Sequence, residues 1–286
     1  MNKYLLIIII LLLLLLLFYP FENNNNNIIE DKYFNINKNK IFNLQDCEAY
    51  VINLDRSIDR KKSFEFITRN FPFNIKRISA VDAKDIDINK YPYNKILESS
   101  KSNMLRNSLK KKPETLGHFA CYLSHIKVYK EFLKTNKQYC MIFEDDFDTM
   151  TNNFTNDLLE KVKNVPDDWN IILTGYHIDD EWDHRHKEGN KDLKNINGVL
   201  NITYFAGTHC YIINRKTINL LLEYLKEPVW YIDWHMSDLA KDKKINIYGL
   251  YKPIACQPAV HKIKVNNLNF KYNCKNSFRS ITNNKF

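Results

Sequence analysis

The chain has 286 residues, of which 44% are hydrophobic, 13% aromatic and 26% charged, enough for one large globular domain. Its 6 Gly and 8 Pro exclude collagen-like and Gly-rich architectures, and its 6 Cys include no C-x-x-C pair of the zinc-ribbon or redox kind. The 42 Lys and Arg against 33 Asp and Glu give a formal charge of +9. That charge is scattered among solvated faces and carries no zinc finger or RNP-type aromatic motif, so no nucleic-acid partner is expected.

Tyr4 to Tyr19 is unbroken apolar sequence, preceded by Lys3 and ended by Pro20. As a helix it reaches roughly 24 Å, short of a ~30 Å bilayer core yet tolerable in a thin secretory-pathway membrane. Residues 1–20 are a removable signal peptide or an uncleaved signal anchor, and no small-x-small cleavage site follows, which favours the anchor. Lys3 and the amino terminus on one side, with Glu22, Glu30 and Asp31 on the other, suggest a single-pass type II membrane protein with a luminal (ER/Golgi-like) body, or a secreted one if the segment is cleaved. Asn23 to Asn27 open an Asn-rich segment with no apolar face to bury, a flexible tether over 21–45. The sequons Asn153-Phe154-Thr155 and Asn201-Ile202-Thr203 fit luminal exposure, and Cys256 and Cys274 are a possible oxidised pair.

From residue 46 the pattern alternates. Glu48 to Leu54 is a β-branched apolar run ended by Asp55, hence a strand, and Ser57 to Asn70 follows as a helix with Phe64 and Ile67 toward the core. Ile75 to Ser79 reads as a second strand. Pro113 opens a long helix to about Lys134, where Leu116, Phe119, Ala120, Leu123, Val128 and Phe132 keep near-helical spacing. Tyr139 to Phe143 is a fully apolar strand, Trp169 to Thr174 another, and Tyr211 to Asn214 leads into a helix over Arg215 to Lys226. Ile245 to Tyr251 gives a late strand. The expected fold is α/β, one domain over 46–276 with a mostly parallel central sheet flanked by helices and a short tail at 277–286. No Gly-rich phosphate loop of Rossmann or P-loop type occurs.

The strand at Tyr139 ends in three acids, Glu144, Asp145 and Asp146. Open α/β sheets bind ligands at the carboxyl ends of their strands. Three adjacent carboxylates repel unless a cation joins them, and their oxygens suit Mn²⁺ or Mg²⁺; a merely solvated acidic turn is the plain alternative. Strand alternation assigns Glu144 and Asp146 to one face and Asp145 to the other, which makes Asp146 the direct metal ligand. Glu144 then meets the metal through water or holds a nucleotide ribose.

Four segments in order make the resemblance specific. Tyr50-Val51-Ile52-Asn53-Leu54-Asp55-Arg56 with Asp59-Arg60 is followed by Ile78-Ser79-Ala80-Val81-Asp82. Then come Gly117-His118-Phe119-Ala120-Cys121-Tyr122-Leu123-Ser124-His125, Phe143-Glu144-Asp145-Asp146 and Gly207-Thr208-His209-Cys210-Tyr211-Ile212-Ile213. Together they resemble glycosyltransferase family 25, which includes bacterial lipooligosaccharide and procollagen galactosyltransferases. His118 stands where that family usually has Glu and Ala120 where it usually has Gly.

The resemblance implies a GT-A fold, a UDP-sugar donor, a divalent metal and usually inversion at the anomeric carbon. It implies nucleotide contacts from Asn53, Asp55 and Arg56, with Arg60 adding a charge-assisted bond to phosphate; Arg60 pairing within its own helix is the plain alternative. Ser124 and His125 are candidates to point into the site. Inversion needs a carboxylate base, for which Asp233 is first choice and Asp238 second, in a stretch whose aromatics suit sugar rings. Asp233 could instead cap a helix beginning at Trp234. His209 and His261 are weaker metal candidates, and Asp179 to Lys191 reads as a mobile loop, a candidate lid. The expected activity is metal-dependent transfer of galactose or glucose from a UDP-sugar to a glycan or hydroxylated-protein acceptor. Its rivals are a non-catalytic glycan-binding protein of the same fold and a metal-dependent phosphoesterase.

Overall fold

The computed structural model describes residues 42–86, 114–179, 188–225, 231–257, 261–265 and 268–272. The expected anchor, most of the tether and the C-terminal tail lie outside these residues, as do Pro113, His184, His186 and Cys274. Among the described residues no helix is long and apolar enough to cross a membrane.

The strands are β1 (Cys47–Asn53), β2 (Ile75–Ser79), β3 (Tyr139–Glu144), β4 (Asp148–Thr149), β5 (Ile171–Asp179), β6 (Asn195–Ile196), β7 (Val199–Asn201), β8 (Ala206–Asn214), β9 (Ile247–Leu250), β10 (Ala255–Cys256), β11 (His261–Val265) and β12 (Leu268–Tyr272). The α-helices are α1 (Ile58–Thr68), α2 (Glu114–Phe132), α3 (Phe154–Val162), α4 (Arg215–Tyr224) and α5 (Ile232–Lys241). The main sheet runs β2-β1-β3-β8-β5-β9-β7-β6, with β11 joined to the far end of β5 and carrying β12. β10 and β4 form a separate antiparallel pair.

The expected mostly parallel sheet is corrected to a mixed one. β2, β1 and β3 are parallel, and β5 is parallel to β9, but β8 lies between β3 and β5 antiparallel to both. Apolar runs report burial on both faces equally well for either direction, which is why the sequence pattern did not reveal it.

Both faces are indeed covered. Tyr50 and Ile52 of β1 join Cys140 and Ile142 of β3 under Tyr122, Val128, Tyr129 and Phe132 of α2, with α4 and α5 beside them. The alternate residues Ala49, Val51, Met141 and Phe143 pack against Phe64 of α1 and Phe154, Leu158 and Val162 of α3. This two-residue alternation decides which helix each strand end confronts. On α2 the buried stripe runs Tyr122, His125, Val128, Tyr129, Phe132, at the i, i+3, i+4, i+7 spacing of one helix face; Leu123 is only half-buried.

β5 bulges against β8 on both sides of Gly175. A methyl group at Gly175 would meet His209 Nε2 at 2.2 Å and the Ala255 carbonyl oxygen at 2.4 Å, so the strand and the β10 backbone approach through the missing side chain. Gly175→Ala is therefore expected to lower stability by about 1–3 kcal/mol, read as a lower urea midpoint at unchanged slope.

Candidate active site

The three acids occupy the carboxyl end of β3, and each is held by a different element. Glu144 continues the Cys140–Ile142 face and so confronts α2, where its Oε1 lies 3.3 Å from His125 Nε2. The Thr208 hydroxyl, at the start of β8, donates to the same oxygen. Asp145 turns to the α1 face, where its Oδ1 accepts a 2.8 Å bond from Arg60 and its Oδ2 a 2.8 Å bond from the Asn53 amide. Asp146 lies in the turn, where alternation no longer applies. It accepts from Gln257 at 3.3 Å and sits 3.9 Å from Arg60, contacts longer than those on Asp145. Gln257 arrives there because β10 pairs with β4, setting Cys256 opposite Asp148.

Sequence-expected site residues divide into those at this centre and those beside it. Asn53 is buried and fully used: its amide also donates to the Ser57 carbonyl at 3.2 Å, and its oxygen accepts from Arg77 Nε at 2.8 Å. Asp55, exposed, accepts from Arg77 and from Ser79 Oγ at 2.7 Å. The Arg77 hydrogen bond is the main reason its carboxyl titrates below the ordinary value. Arg56 pairs with Asp82 at 3.0 Å, near the solvent. Ser124 is buried and ties the loop after β2 to α2, accepting from Val81 N at 2.9 Å and donating to the Ala120 carbonyl at 2.7 Å. Beside Asn53 and Asp145 a cavity of about 250 Å³ opens between α1 and the β1–β2 edge, with Lys61, Arg69 and Arg77 among its walls.

Asp233 lies in the first turn of α5, which begins at Ile232 with Tyr231 as the preceding cap residue. Its Oδ2 accepts from Gly207 N at 2.8 Å and its Oδ1 from Trp234 N at 2.9 Å. Gly207 has φ +90°, the left-handed region that favours glycine, and this aims its N–H at the carboxylate. Asp238, farther along the helix, accepts from the Tyr204 hydroxyl at 3.3 Å instead. His209 is buried next to His177, with 6.0 Å between ring centroids.

Environment drives the two acids apart. Burial is the largest influence on Asp233 and lifts its carboxyl to about 6, with the negative charge of Glu144 adding to the rise against the two N–H bonds. Burial would lift Glu144 as well, but His125 and Thr208 outweigh it and hold Glu144 below its usual range. Arg60 goes the same way: desolvation opposes its charge, and Asp145 and Asp146 more than restore it. Opposite displacement of neighbouring carboxyls is the condition under which one takes up protons while the other stays charged.

Arg77, Thr208, Gln257 and Cys121 were not singled out by sequence reasoning. Thr208 and Cys121 stand inside the quoted motifs; Arg77 and Gln257 carry no local signal. Oxygen donors at Asp146 and Glu144 match the chemistry of a hard divalent cation; Asp145 is engaged by Arg60 and Asn53 and is the acid least suited to it.

Comparison with known proteins supplies the context. The family model "Glycosyltransferase family 25 (LPS biosynthesis protein)" matches residues 46–236. Procollagen galactosyltransferase 2 of Homo sapiens is 25% identical over 170 residues, covering 58% of this chain and 26% of the relative. Procollagen galactosyltransferase 1 of Danio rerio is 24% identical over 180 residues, covering 61% and 28%. The chain thus spans about a quarter of the length of the curated relatives it matches. Among solved structures, mouse xyloside xylosyltransferase 1 in its apo form aligns over 73% of this chain and 66% of its own, at 14% identity. Its TM-score of 0.31 is too low to assign a fold.

If Arg60 offsets the acidic cluster, its removal and that of Asp145 are not independent. A double-mutant cycle of Arg60→Ala and Asp145→Asn at neutral pH is expected to give a coupling energy of about 1–2 kcal/mol by urea denaturation. Additive effects would mean that the pair contributes nothing.

Proposed function

The chain belongs to glycosyltransferase family 25, and from this premise we propose that it transfers a hexose, galactose or glucose, from a UDP-sugar to a hydroxyl of a glycan or hydroxylated protein, with inversion. The observation that carries the reading is the Asp233 carboxylate, held by Gly207 N and Trp234 N next to Thr208 and the acids at the end of β3; its carboxyl is lifted to about 6 while Glu144 is held below its usual range.

Asp233 is the base in this reading. Its two backbone N–H bonds fix the carboxylate plane, and a carboxylate offers about four lone-pair sites, so sites remain to take a proton. The acceptor hydroxyl gives its proton to Asp233 as its oxygen bonds to the anomeric carbon. The bond from that carbon to the diphosphate oxygen breaks, and its electron pair leaves with UDP. Asp238, engaged with Tyr204, is the less suited of the two candidates.

Asp146 and Glu144 would hold a Mn²⁺ or Mg²⁺ ion, which supplies positive charge for the departing diphosphate. The donor nucleotide is assigned to the ends of β1 and β2, where Asp55, Arg56 and the cavity beside Asn53 and Arg77 offer polar and cationic groups. Asn53 then acts by holding Asp145, and His125 by holding Glu144. Residues 1–20 are proposed as a membrane anchor presenting a luminal domain.

Incubating the full chain with Mn²⁺ and a panel of UDP-sugars and acceptors tests the reading by UDP release and product mass. Asp233→Asn is expected to lower kcat about 10²–10⁴-fold, and Asp146→Ala to abolish the response to Mn²⁺. Because the base acts deprotonated, kcat/KM should rise with pH along a limb below about 6, since Mn²⁺ at Glu144 offsets that residue's share of the rise at Asp233, and the limb should vanish in Asp233→Asn. Sugar binding without UDP release from any donor would overturn catalysis and leave a glycan-binding protein.

A further inference from the structure

Cys121 and His125 stand four residues apart on α2 and therefore on one face of it. Glu144 faces them from the end of β3, and the thiol sulfur, an imidazole nitrogen and a carboxylate oxygen all lie within 4.8 Å of one another. The imidazole is fully buried, with Nε2 3.3 Å from Glu144 Oε1 and Nδ1 2.9 Å from the Tyr211 hydroxyl. Tyr211 is itself 2.7 Å from the Tyr129 hydroxyl. One ring nitrogen turned to a ligand cluster and the other anchored to a fixed outer partner is the arrangement that orients metal-binding imidazoles. Asp145 and Asp146 follow Glu144 in the chain, so the cluster lies beside further negative charge. The surroundings are therefore strongly attractive to a cation.

We propose that Cys121, His125 and Glu144 form a binding site for one thiophilic divalent cation of the zinc class, with water or a substrate oxygen as fourth ligand. Thiolate with imidazole and carboxylate selects Zn²⁺ or Co²⁺ over the harder Mn²⁺ and Mg²⁺. On binding, the sulfur–metal bond replaces the S–H bond and that proton leaves to solvent. In the metal-bound form His125 is a neutral imidazole ligating through Nε2 and donating its single ring proton from Nδ1 to Tyr211; the proton that Nε2 gives to Glu144 in the metal-free form is displaced from that nitrogen. Metal–ligand bonds of about 2.0–2.3 Å require the cluster to contract by about an ångström, which rotation of the Cys121 and Glu144 side chains supplies. Since Glu144 is shared, occupancy withdraws it from the oxygen-ligand set. On the glycosyltransferase reading, which this consequence alone rests on, zinc opposes manganese.

Titrating Co²⁺ into the metal-free full chain with its Cys256 disulfide intact tests the site. A thiolate-to-cobalt charge-transfer band with tetrahedral ligand-field bands is expected, displaced by stoichiometric Zn²⁺ and lost in Cys121→Ser. Tyr211→Phe should weaken Co²⁺ binding about tenfold or more. If Cys121→Ser does not fold, Zn²⁺ protection of Cys121 from alkylation in the unaltered chain, mapped by peptide mass, gives the same answer. No charge-transfer band, a band that persists in Cys121→Ser, or alkylation indifferent to Zn²⁺ overturns the proposal. These readouts need no turnover, so their failure leaves the transferase reading standing, and absent UDP release leaves this site standing.

Discussion

Three consecutive carboxylates at one strand end set the terms for the rest of the site. Two such charges 4 Å apart, in surroundings of effective dielectric about 20, repel by about 4 kcal/mol, a large share of a domain's net stability. The fold meets this by giving each acid its own partners: His125 and Thr208 for Glu144, Arg60 and Asn53 for Asp145, Gln257 for Asp146. Those partners come from α2, β8, α1, β1 and the residue after β10. The acidic cluster is thus a meeting point for elements that share little else, and its geometry is only as rigid as the layers on either side of the sheet.

The direction of β8 matters for the same reason. An antiparallel strand beside β3 brings its beginning, not its end, to the carboxyl end of β3. Cys210 pairs with Phe143, so Gly207 and Thr208 come to lie beside the acids. A parallel β8 would have delivered Ile213 and Asn214 there. The reversal also sets Gly207 against the first turn of α5, and its N–H fixes Asp233. One antiparallel insertion accordingly supplies a donor to Glu144 and a tether for Asp233.

The strands and helices nearest the site were legible because their signals are local. YCMIF is apolar throughout and stops at an acid, and β1 is β-branched and stops at Asn53, so both strands and their carboxyl ends can be read from the chain. The two-residue period also assigned Glu144 and Asp145 to opposite faces. What could not be read is which groups meet them. Asn53 reaches Asp145 across 92 residues, Thr208 reaches Glu144 across 64 and Gln257 reaches Asp146 across 111. Such pairings depend on strand order and direction, which hydropathy does not encode. Asn53 illustrates the limit. Its position at a strand end marks it as a site residue, yet its amide and carbonyl are both spent on Asp145, Ser57 and Arg77. The short strands β4, β6 and β10 gave no period to detect, and β4 with β10 is what brings Gln257 into place.

The acids therefore differ in character through packing more than through chemistry. Glu144 and Asp233 are both drawn out of water, and for both burial is the largest influence. What separates them is the kind of donor each receives. Glu144 has an imidazole that can share positive charge and a hydroxyl that can rotate, whereas Asp233 has two backbone N–H groups, which stabilise a carboxylate without neutralising it. Glu144, kept ionised, then adds its own field to the rise at Asp233. Any cation gathered at Glu144 removes that contribution and leaves burial alone to hold Asp233 up. The β3 side of the site and α5 are in this way linked through charge.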